Sequence, residues 1–178
     1  ITHVVALPDN TSKALLEGLA TQPDIRVVGI TREGEAWAVA AGLWIGGGAP
    51  AVLMQNTGFL ESGDALRGTA MRMRIPLLCL LTYRGYATLA AQAPGSELRV
   101  GRGSKAEAPS GGLGTDGRVL SQPDLDSCAV LFEPTLRAWG VPYDFLLGDD
   151  DVPKIRTTLD LARQREHPAA LLITGDTT

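Results

Sequence analysis

The run Leu77-Leu78-Cys79-Leu80-Leu81 contains no polar residue and no alternation of polar with apolar positions. A strand of that composition needs cover on both faces, which a parallel sheet flanked by helices supplies and a half-solvated antiparallel sheet does not. The rest of the chain fits that plan. His3 to Leu7, Val27 to Ile30, Ala51 to Met54, Tyr143 to Leu147 and Ala169 to Ile173 are further short apolar runs. Between them stand segments with helical spacing: Thr11 to Ala20, Glu33 to the glycines at 46–48, a helix from Gly58 to about Met73, Cys128 to Trp139, and one carrying Val152, Ile155, Leu159 and Ala162 inward. Strand-helix alternation predicts an α/β fold, three-layer α/β/α, with a parallel sheet of about six strands. In such sheets the carboxyl ends of the strands carry the site. Pro8 to Asn10, Arg32-Glu33, Gln55-Asn56 and Arg84 fall at those ends.

With 178 residues and 44% apolar content the chain builds one core, so residues 1–178 are expected to form a single domain. The segment from Arg84 to Ser127 stands apart. It carries glycines at 95, 101, 103, 111, 112, 114 and 117 with little apolar periodicity, the composition of a loop or lid. A formal charge of -4 with scattered basic residues argues against a nucleic-acid or anionic-membrane surface. No apolar run has the length of a membrane span, and the first residues show no signal pattern. Cys79 and Cys128 form no CxxC pair, which points to a reducing cytoplasm.

One helix carries an acidic pair at its entrance and almost nothing polar beyond it. After Glu33 and Glu35, the positions Ala36, Val39, Ala40, Leu43 and Trp44 form a helical stripe that Trp37, Ala41 and Ile45 widen to most of the circumference. An interior helix is expected. Taken alone, the pair reads as stabilisation of a helix N-terminus. Likewise Asp149-Asp150-Asp151 reads as an acidic turn before a helix, and the isolated His3 and His167 give no metal or nucleophile pattern.

The run Arg32-Glu33-Gly34-Glu35-Ala36, followed by Met54-Gln55-Asn56-Thr57-Gly58 and Tyr83-Arg84-Gly85, resembles the pyrimidine-binding domain of thiamine diphosphate-dependent decarboxylases. Leu7-Pro8-Asp9-Asn10, Gly140-Val141-Pro142-Tyr143 and Pro168 to Ile173 extend the likeness, which is strongest to the phosphonopyruvate and sulfopyruvate decarboxylase group. The resemblance implies that Glu33 is the acid that shares a proton with N1' of the cofactor's aminopyrimidine, because Gly42 stands where relatives end the same helical turn. Glu35 is then structural. It further implies cofactor contacts from Gln55, Asn56 and Thr57, and a substrate-facing, catalytic position for Asn10. Arg84 would pair with an anionic 2-oxo acid. On the residues alone, Asn10 reads equally as an N-cap, Gln55 to Thr57 as a self-satisfied polar turn, and Arg84 as half of a surface ion pair.

In these relatives a divalent cation holds the diphosphate through a Gly-Asp-Gly sequence on a second domain. Gly114-Thr115-Asp116-Gly117 and Gly175-Asp176-Thr177 are poor matches to it. The resemblance therefore implies a diphosphate-binding (beta) partner subunit that holds Mg2+, a hetero-oligomer, and cofactor between the two chains. The expected activity is decarboxylation of a 2-oxo acid. The alternatives are a carboligase subunit and a catalytically silent interaction subunit of the same fold.

Overall fold

The computed structural model describes residues 1–92 and 126–175. Six strands form one sheet, β1 (His3–Ala6), β2 (Arg26–Gly29), β3 (Pro50–Gln55), β4 (Leu78–Thr82), β5 (Tyr143–Leu146) and β6 (Ala169–Ile173), in the order β2-β1-β3-β4-β6-β5. Every pairing is parallel, as the continuous apolar runs require. All residues of β4 and β6 are buried, whereas the edge strands β2 and β5 contain exposed positions.

Helices cover both faces. On one face α1 (Lys13–Ala20) and α7 (Lys154–Arg165) pack Leu15, Leu16, Leu19, Ile155 and Leu159 onto Val4, Ala6, Ala51, Leu53, Leu78 and Leu80. The alternate residues of the same strands, Val5, Val52, Met54, Cys79 and Leu81, face α2 (Glu33–Ile45), α3 (Asn56–Glu61) and α6 (Ser127–Ala138) on the other. Phe59 is the hub of that second layer, with ring centroids 6.3 Å from Trp37, 5.6 Å from Phe132 and 6.0 Å from Trp139. Such aromatic pairs contribute about 0.5–1.5 kcal/mol each beyond the area they bury.

Three expectations need correction. The helix anticipated from Gly58 to Met73 is broken: α3 ends at Glu61, a short α4 (Gly63–Ala65) follows, and Leu66–Met71 is a π-helical turn. The break has a cause in packing, since Ser62 Oγ accepts the Trp37 indole N–H at 2.8 Å and Trp139 lies directly on Gly63. Inside the stretch expected to be loop, Tyr86–Gln92 forms a helix, α5, with Tyr86 and Leu89 packed on the core. The rest of that stretch, 93–125, lies outside the described residues, as does the end of the Gly175-Asp176-Thr177 run. The third correction concerns α2. It buries Ala36, Trp37, Ala40 and Ala41, but Ala38, Gly42, Trp44 and Ile45 are exposed, with Ile45 at 61%. In this chain by itself α2 is a half-buried helix with an apolar outer side.

No helix among the described residues is long and apolar enough to cross a membrane.

Candidate functional site

The chain leaves β1 toward α1 on one face and leaves β3 toward α3 on the opposite face. Adjacent strands whose connections diverge in this way leave a crevice at their carboxyl ends. The paired register of Ala6 with Leu53, and of Gln55 with Thr82, aligns those ends. Segments 7–12, 30–35, 55–58 and 82–85 therefore line one edge of the sheet, and every candidate residue from the sequence lies on it.

Glu33 opens α2 and is half-buried. Its side chain lies across Gly58: a Cβ placed on Gly58 would stand 2.3 Å from Glu33 Cγ, 2.6 Å from Oε1 and 2.8 Å from Cδ. Among the described residues, no hydrogen bond or ion pair engages the Glu33 carboxylate. Arg32, beside it, is committed to Glu61 through Nη2 at 2.8 Å and Nε at 3.1 Å. Glu35 is also spent. It accepts the Thr31 N–H at 3.0 Å and the Thr31 hydroxyl at 3.1 Å, and these bonds hold its carboxyl below the usual carboxylate range. The two acids thus divide the work: Glu35 closes the helix start and Glu33 is left available.

Asn10 is exposed and is not the N-cap of α1, a position that Ser12 holds. Asp9 Oδ1 accepts the N–H groups of Thr11 at 2.6 Å and Ser12 at 3.1 Å, and also the Thr11 hydroxyl. Asp9 Oδ2 takes the Ser12 hydroxyl at 2.9 Å. These bonds close the turn that leads from β1 into α1, with the Asp9 side chain bonding the backbone two and three residues on.

From Thr11 a polar chain runs across the strand ends. With its hydrogen given to Asp9, the Thr11 hydroxyl accepts from the Thr82 hydroxyl at 2.8 Å, and Gln55 Nε2 reaches Thr11 Oγ1 at 3.4 Å across the crevice. Gln55 Oε1 accepts from the Thr57 hydroxyl at 3.1 Å and from Arg84 Nη1 at 3.5 Å. Asn56 is fully buried. Its Nδ2 donates to the Arg84 carbonyl at 3.0 Å and its Oδ1 accepts the Thr57 N–H at 3.1 Å. Gln55 and Thr57 are half-buried at the rim, and Asn56 works underneath it.

Arg84 is exposed and pairs with Asp126, Nε to Oδ2 at 2.9 Å and Nη2 to Oδ1 at 3.4 Å. Asp126 is the N-cap of α6 and accepts the Cys128 and Ala129 N–H groups at 3.0 and 3.4 Å. Burial works to raise the Asp126 carboxyl, but the Arg84 hydrogen bond and charge and the two N–H donors outweigh it, and the net shift is downward. Gly85, at φ +83°, takes a conformation that disfavours side chains, and an added Cβ would meet Ala129 at 2.9 Å and Asp126 at 3.1 Å. The Tyr83 hydroxyl donates to the Ala129 carbonyl at 2.9 Å and seats α6 against the end of β4.

Sequence reading singled out none of Asp9, Thr11, Thr82 and Asp126 as site residues. For Asp9, the signal was available as an acidic residue two positions before Thr11 at a helix start. Asp126 had none, since its partner Arg84 is forty-two positions away in sequence.

The fold and this edge define a parallel α/β domain with a carboxylate, unpaired among the described residues, beside an amide-rich switch-point crevice. A family model described as "Thiamine pyrophosphate enzyme, N-terminal TPP binding domain" matches residues 1–100, and the chain belongs to that family. Phosphonopyruvate decarboxylase of Streptomyces viridochromogenes is 35% identical over 85 residues, covering 48% of this chain and 21% of that protein. The alpha subunit of sulfopyruvate decarboxylase from Methanococcus maripaludis is 33% identical over 85 residues, or 48% of this chain and 51% of that subunit. The match thus spans about half of one relative's length and a fifth of the other's. In fold, 99% of the chain superposes on 28% of a thiamine diphosphate-dependent 4-hydroxybenzoylformate decarboxylase from Rhodococcus jostii RHA1, with TM-score 0.58 and 17% identity.

The residues present fit an aminopyrimidine cofactor. The Glu33 carboxylate, unengaged among the described residues, fills the place of a Cβ on Gly58, and hydroxyl and amide groups that both donate and accept stand along the crevice beside it.

Proposed function

We propose that this chain is the pyrimidine-binding part of a thiamine diphosphate-dependent 2-oxo acid decarboxylase of the sulfopyruvate and phosphonopyruvate type, with residues 1–178 acting as one domain. The observation that carries the reading is the Glu33 carboxylate, unengaged by any described residue at the carboxyl edge of the sheet, inside the span that the family model matches. Thiamine diphosphate, when bound, supplies a carbon nucleophile toward a carbonyl and an electron sink for the bond that breaks. Glu33 would hold a proton toward the pyrimidine N1', a task for a carboxyl group that makes no hydrogen bond or ion pair among the described residues. Gln55 and Thr57 shape the wall beside it, and Asn56 fixes the backbone of Arg84 beneath that wall.

Asn10 stands exposed at the crevice mouth, where it would meet a substrate. Arg84 would attract the anionic group of a 2-oxo acid while its Asp126 partner sets the direction of the guanidinium. The naming of the sulfopyruvate relative as subunit alpha supports a diphosphate-binding partner subunit for this chain, which would hold Mg2+ and complete a hetero-oligomer. Two free cysteines suit the reducing cytoplasm.

The test is Glu33→Gln in the full-length protein with cofactor, Mg2+ and any partner subunit, read by hydrogen-deuterium exchange at C2 of the bound cofactor. Losing one positioned acid-base group slows such a step by about 10²- to 10⁴-fold. Glu35→Gln is the control, since that carboxylate is occupied by Thr31. Equal exchange rates in the Glu33 variant and the parent would sink the proposal.

A further inference from the structure

Gly58 occupies a helix position whose backbone asks for no glycine. It lies within α3 and is absent from the glycines with positive φ, which are Gly47, Gly85 and Gly140 among the described residues. Helix propensity alone would favour alanine there. The position is also buried, where a methyl group would ordinarily add packing. What excludes a side chain is Glu33, whose Cγ, Oε1 and Cδ lie 2.3, 2.6 and 2.8 Å from where a Cβ would stand. These separations are far inside contact distance. Three atoms of one side chain, carboxylate oxygen included, fill the space that a residue other than glycine would take. At the same helix start a Cβ on Gly34 would meet Ala65 Cβ at 3.7 Å, an ordinary contact, so the exclusion of a side chain is particular to Gly58.

We infer that Gly58 is a positioning residue for the Glu33 carboxylate: α3 gives up one side chain so that Glu33 can lie flat against it and present its carboxylate at a fixed reach from the strand ends. The inference rests on the reading of Glu33 as the acid toward the cofactor ring, and it adds the residue that sets where that acid stands. The helix cannot retreat easily, since Phe59, next to Gly58, is fully buried among Trp37, Phe132 and Trp139. Glu33, only half-buried, is the partner that must yield. A methyl group on Gly58 therefore swings the carboxylate out of the crevice with little change elsewhere.

Two measurements on the full-length protein test this. The first is a double-mutant cycle on unfolding midpoint with Gly58→Ala, Glu33→Ala and the pair. Gly58→Ala should lower the midpoint when Glu33 is present. In the Glu33→Ala background, where all three blocking atoms are gone, it should leave the midpoint unchanged or raise it. This readout needs no cofactor, and a Gly58→Ala chain that folds only when Glu33 is also replaced counts as support. Equal shifts in both backgrounds would overturn the inference.

The second is C2 exchange at saturating cofactor. Displacing a reacting group by about an ångström costs on the order of 10²-fold, so Gly58→Ala should slow exchange by about that factor. If Glu33→Gln slows exchange and Gly58→Ala does not, the positioning role is wrong. If Glu33→Gln itself has no effect while the cycle shows coupling, the contact between the two residues stands and the proposed function falls.

Discussion

Asn56→Asp probes the polar edge at its most enclosed point. The side chain is 0% exposed, donates through Nδ2 to the Arg84 carbonyl at 3.0 Å and accepts the Thr57 N–H through Oδ1 at 3.1 Å. The substitution preserves size and the Thr57 bond, but it turns the donor into an oxygen facing a carbonyl oxygen. A buried acceptor that loses its donor costs about 1–3 kcal/mol, and an enclosed carboxylate adds desolvation. About 2–4 kcal/mol is expected at neutral pH, which for a chain of this size lowers the thermal midpoint by roughly 4–16 °C.

The pH dependence has a definite sign. Burial raises the introduced carboxyl above its unfolded value of about 3.9, and its protonated form regains an O–H that can donate to Arg84. The variant's deficit is therefore full above the raised folded pKa and shrinks as pH falls toward about 4. Urea unfolding of parent and variant in parallel at several pH values, followed by far-ultraviolet circular dichroism, measures that difference. A variant as stable as the parent at pH 7, or a deficit that does not shrink on acidification, would refute the role given to Asn56.

Gly63→Ala places a Cβ 2.0 Å from Trp139 Cη2, and this collision should cost about 1–3 kcal/mol or more, seen as a lower urea midpoint and altered tryptophan fluorescence. An unchanged midpoint would show that α6 does not sit on Gly63. The three tyrosines, Tyr83, Tyr86 and Tyr143, all titrate high: burial and the Glu133 carboxylate push each up, Tyr143 to about 12. Because the folded values exceed the unfolded ones, this stability is whole below about pH 10 and is lost as pH rises through the folded values. Native protein near pH 10 should show less tyrosinate absorbance than the urea-unfolded chain at the same pH, and equal absorbance in the two would contradict the packing around Glu133.

The sequence by itself determined the layers. Runs such as Leu77 to Leu81 and Ala169 to Ile173 cannot face water on either side, so they force a parallel sheet and place the site at its carboxyl edge. It also brought out the acidic pair Glu33 and Glu35 at the start of an apolar helix, and the family resemblance of the surrounding motifs chose Glu33 between them. Tertiary structure decided what surrounds that acid. Gly58 touches Glu33, Asp126 reaches Arg84, and Trp139 lies on Gly63 only because β-strand pairing brings distant helices to one face. No residue spacing encodes those distances. The division of labour between Asp9 and Asn10, and between Glu35 and Glu33, has the same origin: Asp9 accepts the Thr11 and Ser12 N–H groups and Glu35 the Thr31 N–H just ahead of their helices, and only the folded backbone decides which neighbour does so. The outer side of α2 shows the limit most plainly. Its apolar stripe, read along the chain, calls for burial all round, yet the domain has only one surface to offer a helix, and Trp44 and Ile45 remain outside.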